Sequence, residues 1–205
     1  MRYSEPMQKI VTHNSGFHAD DVFAVATLGL HLGVENLEVL RTRDESIIET
    51  GDWVVDVGGV YDPSQQRFDH HQNGAPTHSN GIPYAAFGLI WKHVGESLCG
   101  NAAVAAEVES ALVLPIDATD NGVSLFTLTQ HKVKPVTISD VVALCCPLRG
   151  SGEDLDAAFL ETVAIARTII QRAITHARAR VEMRDRAEKV HAESADTRVL
   201  VFEAP

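Results

Sequence analysis

The sequence predicts an α/β fold: a mostly parallel, doubly wound sheet flanked by helices, with a long C-terminal helix. Three observations lead there. Short apolar, strand-like runs alternate with stretches of helical period in the first half of the chain. Those runs deliver polar side chains to one edge, the carboxyl edge, where open α/β sheets bind ligands. Residues 153–191 then repeat apolar positions at spacings of three or four, the signature of one long helix packed along one face.

Residues 8–12 (QKIVT) read as a short buried strand with His13 at its end. The stretch NSGFHADD has neither helical nor strand period, so His13, His18 and Asp20 are expected on a strand-to-helix loop. Val22, Phe23, Val25, Ala26, Leu28, Leu30 and Leu32 continue as a helix closed by Gly33. Residues 37–42 form a second strand and residues 45–50 one helical turn. Residues 52–57 form a third strand, apolar enough to be central, with Asp56 at its carboxyl end. Gly58, Gly59, Asp62 and Pro63 mark turns before residues 67–70 return toward the same edge.

Asn80, Gly81 and Pro83 mark a further loop; residues 84–94 and 102–114 read as helices, and Pro115 opens the segment IDATDNG. Residues 139–146 are a helix stopped by Pro147, and residues 149–152 a joint. Toward the far end of the long helix, Arg172, Arg178, Arg180, Arg184, Arg186 and Lys189 interleave with Glu182, Asp185 and Glu188, the pattern of a solvated face with ion pairs, with contact to an anionic substrate as the alternative. Residues 198–202 (RVLVF) read as a closing strand. Residues 1–194 are thus the main domain, and residues 195–205 an edge strand or the start of a second domain largely absent from this chain.

Apolar residues at 45% and charged residues at 22% are ordinary globular usage. No apolar run approaches the roughly 20 residues of a membrane span, and MRYSEPMQKIV lacks a signal core, so no membrane association is expected and the cytoplasm is the default, with the nucleus or mitochondrion as alternatives. Cys99, Cys145 and Cys146 read as buried thiols of a reducing compartment. A net charge of −11 argues, in part, against a broad electrostatic grip on nucleic acid, which normally shows as a basic face. Two bound divalent cations would return positive charge at the point where a phosphate docks, and the last third of the chain is rich in arginine.

His13, His18, Asp20, Asp56, Asp69, His70, His71, Asp117 and Asp120 offer imidazole and carboxylate only. Such a set suits Mn, Fe, Zn or Mg, and the carboxylate share without thiolate leans toward Mn. It exceeds what one ion takes, whereas two ions ~3.5–4 Å apart with a bridging carboxylate use most of it and leave a histidine for catalysis. Singly, each residue has a plainer role: Asp20 capping a helix with Asp21 as an acidic first-turn residue, Asp117 and Asp120 capping helix ends. Jointly, an HxxxxHxDD loop, a strand-end Asp and an Asp-His-His triplet occur in the order a two-metal site requires. His31, His93, His131, His176 and His191 lack ligand-spaced companions, while His78, in the loop after the triplet, is better placed to approach substrate.

The segments THNSGFHADD, VVDVGGVYDP, RFDHHQ and IDATDNG resemble the DHH phosphoesterase superfamily, and most closely its melanocyte-proliferating-gene family, across residues 8–200. The resemblance implies residue roles. His13 and Asp20 match the ends of the first motif, with His18 where an Asp is usual. Asp56 matches the bridging aspartate, His70 a ligand of the second metal, His71 the residue touching the scissile phosphate, and Asp69 a carboxylate orienting the pair. Asp120 best matches the fourth-motif aspartate, with Asp117 in reserve. One metal would be held by His13, His18 and Asp56 and the other by Asp20, Asp56, His70 and Asp120, while His71 or Arg67 steadies charge on the phosphoryl oxygens.

The implied function is hydrolysis of phosphodiester bonds, with 3′-to-5′ exonuclease trimming of single-stranded RNA or short oligonucleotides. The implied cofactors are two divalent ions, manganese first and Mg, Fe or Zn as alternatives, and a homodimer is left open. The alternative is a metal-binding interaction module with an incomplete cleft, because DHH enzymes close theirs with a second, C-terminal domain that this chain is expected to lack in large part. The family's older label, metal-dependent protein hydrolase, finds no HExxH helix and no nucleophile triad here.

Overall fold

A computed structural model describes residues 7–193; the expected strand at residues 198–202 and the proposed boundary after residue 194 lie outside the described residues. One sheet holds β1 (Gln8–Thr12), β2 (Leu37–Arg41), β3 (Trp53–Val55), β4 (Tyr61–Asp62) and β5 (Arg67–Phe68) in the order β2-β1-β3-β5-β4. Every pairing is parallel except β4 with β5. The helices are α1 (Ala19–Leu32), α2 (Glu45–Ile48), α3 (Ala86–Cys99), α4 (Ala102–Val108), α5 (Leu114–Asp120), α6 (Ile138–Cys145) and α7 (Leu155–Glu193).

The strand order reverses at β1: the chain leaves β1 for β2 on one side and returns to β3 on the other. Parallel crossovers are right-handed, so reversing direction puts the two connecting helices on opposite faces. The side chains agree. Ile10, Trp53 and Val55 join α1, α3 and α7 in the main core, while Val11, Val54 and Val57 pack on the other face with Leu40 and with Ile48 of α2. The reversal also opens a crevice between the carboxyl ends of β1 and β3, where open sheets place ligands.

α1 starts earlier than its apolar pattern, at Ala19, so Asp20 and Asp21 occupy its first turn and not a loop. Asp21 Oδ1 accepts the His18 amide, a cap on a helix end that already favours negative charge. The segment IDATDNG that Pro115 opens, given no secondary structure from the sequence, is helical as far as Asp120. A π turn over Glu109–Val113 leads into α5, and Pro115 sits in the first turn of α5, where its missing N–H leaves no bond unmade. α7 presents Phe159, Thr162, Ala166, Ile170, Ile174, Ala177 and Val181 as its buried stripe. Of the cysteines, Cys99 is buried and Cys145 and Cys146 only half-buried, so the expectation of three buried thiols holds for one; all are free. Among the described residues no helix is long and apolar enough to cross a membrane.

Candidate metal centre

β1 ends at Thr12 and hands over His13, which is 1% exposed. Its Nδ1 lies 3.0 Å from Ser15 Oγ, which fixes the ring, and its Nε2 points into the crevice, 3.1 Å from Asp21 Oδ2 and 3.3 Å from Asp56 Oδ2. β3 ends at Val55, and Asp56 follows in the left-handed region at φ 54. That conformation costs a non-glycine residue on the order of 1 kcal/mol and is found where surrounding structure enforces it, often at functional sites. Here the Asp56 amide still bonds Phe68 O at 3.1 Å, so the turn keeps its tie to β5 while the carboxylate swings into the crevice.

The two Asp56 oxygens face different rings. Oδ2 faces His13, and Oδ1 lies 3.4 Å from His70 Nε2. His70 comes from the chain leaving β5, and its Nε2 is also 3.3 Å from Asp120 Oδ2, at the end of α5, and 3.9 Å from Asp20 Oδ2. Asp20 is held from behind: its two oxygens accept the Ala86 and Phe87 amides, at 2.9 and 2.7 Å, at the positive N-terminus of α3. Asp69 accepts the Gly59 amide at 2.6 Å through Oδ2, and its Oδ1 meets His71 Nδ1 at 2.6 Å. This leaves the exposed His71 ring with Nε2 free.

Four buried atoms here, His13 Nε2, Asp21 Oδ2, Asp56 Oδ1 and His70 Nε2, have no hydrogen-bond partner although they lie close together. Buried polar atoms are otherwise almost always paired. Two ligand atoms each about 2.1 Å from one ion stand about 3.0–3.5 Å apart, the range of the separations of His13 from Asp21 and Asp56 and of His70 from Asp56 and Asp120. Among the described residues three groups could hold an ion: His13, His18 and Asp21; Asp56, His70 and His71; and Asp20, His70 and Asp120.

The charges respond to one another. Burial alone would lower the His13 imidazole, but Asp21 and Asp56 outweigh it and carry it up to about 9. His70 is raised in the same way by Asp56 and Asp120 against its burial. Burial would raise Asp56, yet His13 and His70 pull it below the usual carboxylate range. Asp20 is pushed well above that range by complete burial and by Asp56 and Asp120 nearby, and burial raises Asp120 as well. Crowded carboxylates raised by burial and by one another are what a divalent cation relieves.

The structure brings together His13, Asp20, Asp56, Asp69, His70, His71 and Asp120 at one edge. His18 stands at the rim, its side chain 59% exposed and its Nδ1 3.9 Å from Asp120. Arg67 is not brought in: β5 runs parallel to β3, so Arg67 precedes the site-facing end, and its guanidinium donates to Gln65 O and Gln66 O. Asp117 is likewise committed elsewhere, with Oδ2 2.7 Å from His78 Nε2 and Oδ1 accepting the Gly88 amide. His78 is therefore buried against Asp117 and Glu109 rather than approaching substrate. Asp21 is the residue that sequence reasoning passed over. Its first-turn position hid it, because an acid there is already explained by the helix dipole; the doubled Asp20-Asp21 pair was the available signal.

The sequence model of the family labelled MYG1_exonuc, described as an uncharacterised protein family (UPF0160), matches residues 9–204. The chain belongs to this MYG1 exonuclease family. It is 36% identical over 135 residues to a Homo sapiens protein named MYG1 exonuclease, covering 57% of this chain and 36% of that protein. The Bos taurus protein of the same name is 32% identical over 180 residues, covering 78% of this chain and 47% of its own length. The Mus musculus MYG1 exonuclease is 33% identical over 172 residues, 74% of this chain and 45% of its own. The chain thus spans about half or less of the length of these MYG1 relatives. No solved structure matches it.

Proposed function

We propose that this chain is a two-metal phosphodiesterase built on the DHH plan, acting as an exonuclease on single-stranded RNA or short oligonucleotides. The observation that carries this reading is Asp56: a buried carboxylate in a strained turn, with one oxygen toward His13 and the other toward His70, and with unpaired buried atoms on both sides. That is the placement a bridging ligand needs. The name exonuclease borne by the mammalian relatives points to a phosphodiester in nucleic acid as the bond acted on.

The donors present fit hard or borderline divalent ions, manganese first, since they are imidazole and carboxylate without thiolate. His13, through Nε2, with His18 and Asp56 would hold one ion, Ser15 fixing the far side of the His13 ring and Asp21 Oδ2 lying within reach of the same ion; Asp20, Asp56, His70 and Asp120 would hold the other. Bound ions would acidify water at neutral pH and clamp phosphoryl oxygens. The chain's own residues supply the rest. Asp69 engages His71 through Nδ1 and leaves Nε2 free, and with both ring nitrogens protonated the Nε2–H would donate to a phosphoryl oxygen at the mouth of the cleft. The cleft of about 650 Å³, lined by His18, Asp20, His70, His71 and Asp120 among others, is large enough for a terminal nucleotide.

The test is elemental analysis of the purified chain together with turnover of single-stranded RNA and of dinucleotides in added Mn. Two ions per chain and hydrolysis are expected, both lost in Asp56→Asn. A variant that keeps its metal and its activity would remove Asp56 from the reaction. A fully metallated wild type that leaves every phosphodiester intact would favour the interaction-module alternative.

A further inference from the structure

We propose that the single-stranded phosphodiester chain continues from the metal centre along the groove beside α5 to Arg172 on α7. This rests on the phosphodiesterase reading and says where the rest of the substrate lies.

Three adjoining cavities carry the inference. Thr119 and Ser139 line the metal cleft and also a second cavity of about 300 Å³. Ala111 and Leu112 of the π turn line that second cavity and also a third, of about 390 Å³, whose other wall is α7 with Arg172, His176 and Arg180. Shared walls make the three a continuous series, and their chemistry changes along it. The near end is carboxylate and imidazole, fit for cations and the scissile phosphate. The middle combines the hydroxyls of Thr119, Thr137 and Ser139 with apolar Leu112, Leu125 and Ile138, a surface for sugars and base faces. The far end is basic.

Arg172, His176 and Arg180 fall at successive spacings of four, hence on one stripe of α7. Arg180 bonds Glu107 at 3.2 Å, and Arg184 closes on the same carboxylate at 2.9 Å. Arg172 and His176 are exposed and, among the described residues, carry neither a hydrogen bond nor an ion pair. In a chain of net charge −11, most of the surface repels a polyanion. An unneutralised guanidinium in the groove that opens on the cation site is where a second phosphate is held. An acidic peptide would satisfy Arg172 alone, whereas a nucleic-acid strand satisfies all three stretches.

The experiment measures binding of labelled single strands of about 12 nucleotides, as RNA and as DNA, to the full chain by fluorescence anisotropy across a salt series. Turnover of a dinucleotide is measured in parallel, and circular dichroism melts confirm folding of Arg172→Ala and Arg172→Glu. The expected result is about tenfold weaker binding in Arg172→Glu, a salt slope reduced by about 0.7 in Arg172→Ala, and dinucleotide turnover unchanged in both. Equal loss for RNA and DNA assigns the contact to the backbone; loss for RNA alone assigns it to the ribose side. Unchanged strand binding in both variants overturns the proposal, as does an equal loss on the dinucleotide. A Glu-rich peptide binding the wild type as tightly as the strand does so too. Arg172-dependent strand binding without hydrolysis of any phosphodiester upholds the groove and removes the proposed reaction instead.

Discussion

Among the described residues, two clusters of buried histidine and carboxylate differ in whether their polar atoms are satisfied. At the metal centre, His13 Nε2, Asp21 Oδ2, Asp56 Oδ1 and His70 Nε2 face one another without hydrogen bonds. In the other cluster, His78 Nδ1 is 3.0 Å from Glu109 and Nε2 2.7 Å from Asp117, its ring stacks on Tyr84 at 3.7 Å, and Asp117 also accepts the Gly88 amide. A Cβ at Gly88 would collide with the Asp117 carboxylate, so even the glycine belongs to that closed arrangement. The same residue types thus do opposite work. A satisfied pair holds elements in place, here the loop before α3 against the π turn and α5; an unsatisfied one is shaped around something that must arrive.

Exchanging single residues between the two clusters is the sharpest way to break this contrast. His70→Ala should cost at least about 10³-fold in phosphodiester turnover, since several kcal/mol of metal-derived stabilisation go with it, and should lower metal content by elemental analysis. His78→Ala should do the reverse, keeping its metal while losing about 3 kcal/mol or more of stability in urea melts, because Asp117 is left buried without its partner. If His78→Ala lost its metal and kept its stability, the division between the clusters would be wrong.

Added manganese at about 100 times its dissociation constant should stabilise the wild type by about 2.7 kcal/mol and leave Asp56→Asn unmoved, read as a shift in melting midpoint. Ser15→Ala, which frees the far side of the His13 ring, should weaken metal binding by about tenfold in a chelator competition and leave the fold intact.

pH separates the clusters further. Burial would lower His78, but Asp117 and Glu109 outweigh it and raise the imidazole above its ordinary 6.5. Burial likewise raises Asp117 above its ordinary range. Both groups therefore bind more protons folded than unfolded: the His78 contribution is present below pH 6.5 and is lost as pH rises through its raised value, whereas the Asp117 contribution is present only below its ordinary 3.8 and is lost as pH rises through its own raised value. The stability gap between wild type and His78→Gln, followed by urea melts from pH 6 upward, should narrow.

Much of this was legible in the chain itself, and for local reasons. His13 and Asp56 were found because each directly follows an apolar strand, and Asp69, His70 and His71 because they are adjacent. The long helix was plain from its repeat, although the structure runs it over Leu155–Glu193. What could not be read depends on pairs distant in sequence or on register. Asp117 and His78 are 39 residues apart, and each alone had a plausible role at the site. Arg67 sits three positions before His70 but on the wrong side of the β3–β5 register. The two-residue strand β4 is too short to carry a period.

By itself the sequence determined the α/β alternation and which side chains are delivered to the carboxyl edge, because period and strand ends are properties of the local chain. Only the tertiary structure decided which carboxylates stay unsatisfied. Asp120 faces His70 while Asp117 is consumed by His78 and Gly88, and Asp21 joins His13 while Arg67 turns away. Satisfaction of a polar atom depends on every neighbour the fold brings within about 3.5 Å of it, and no local pattern records that.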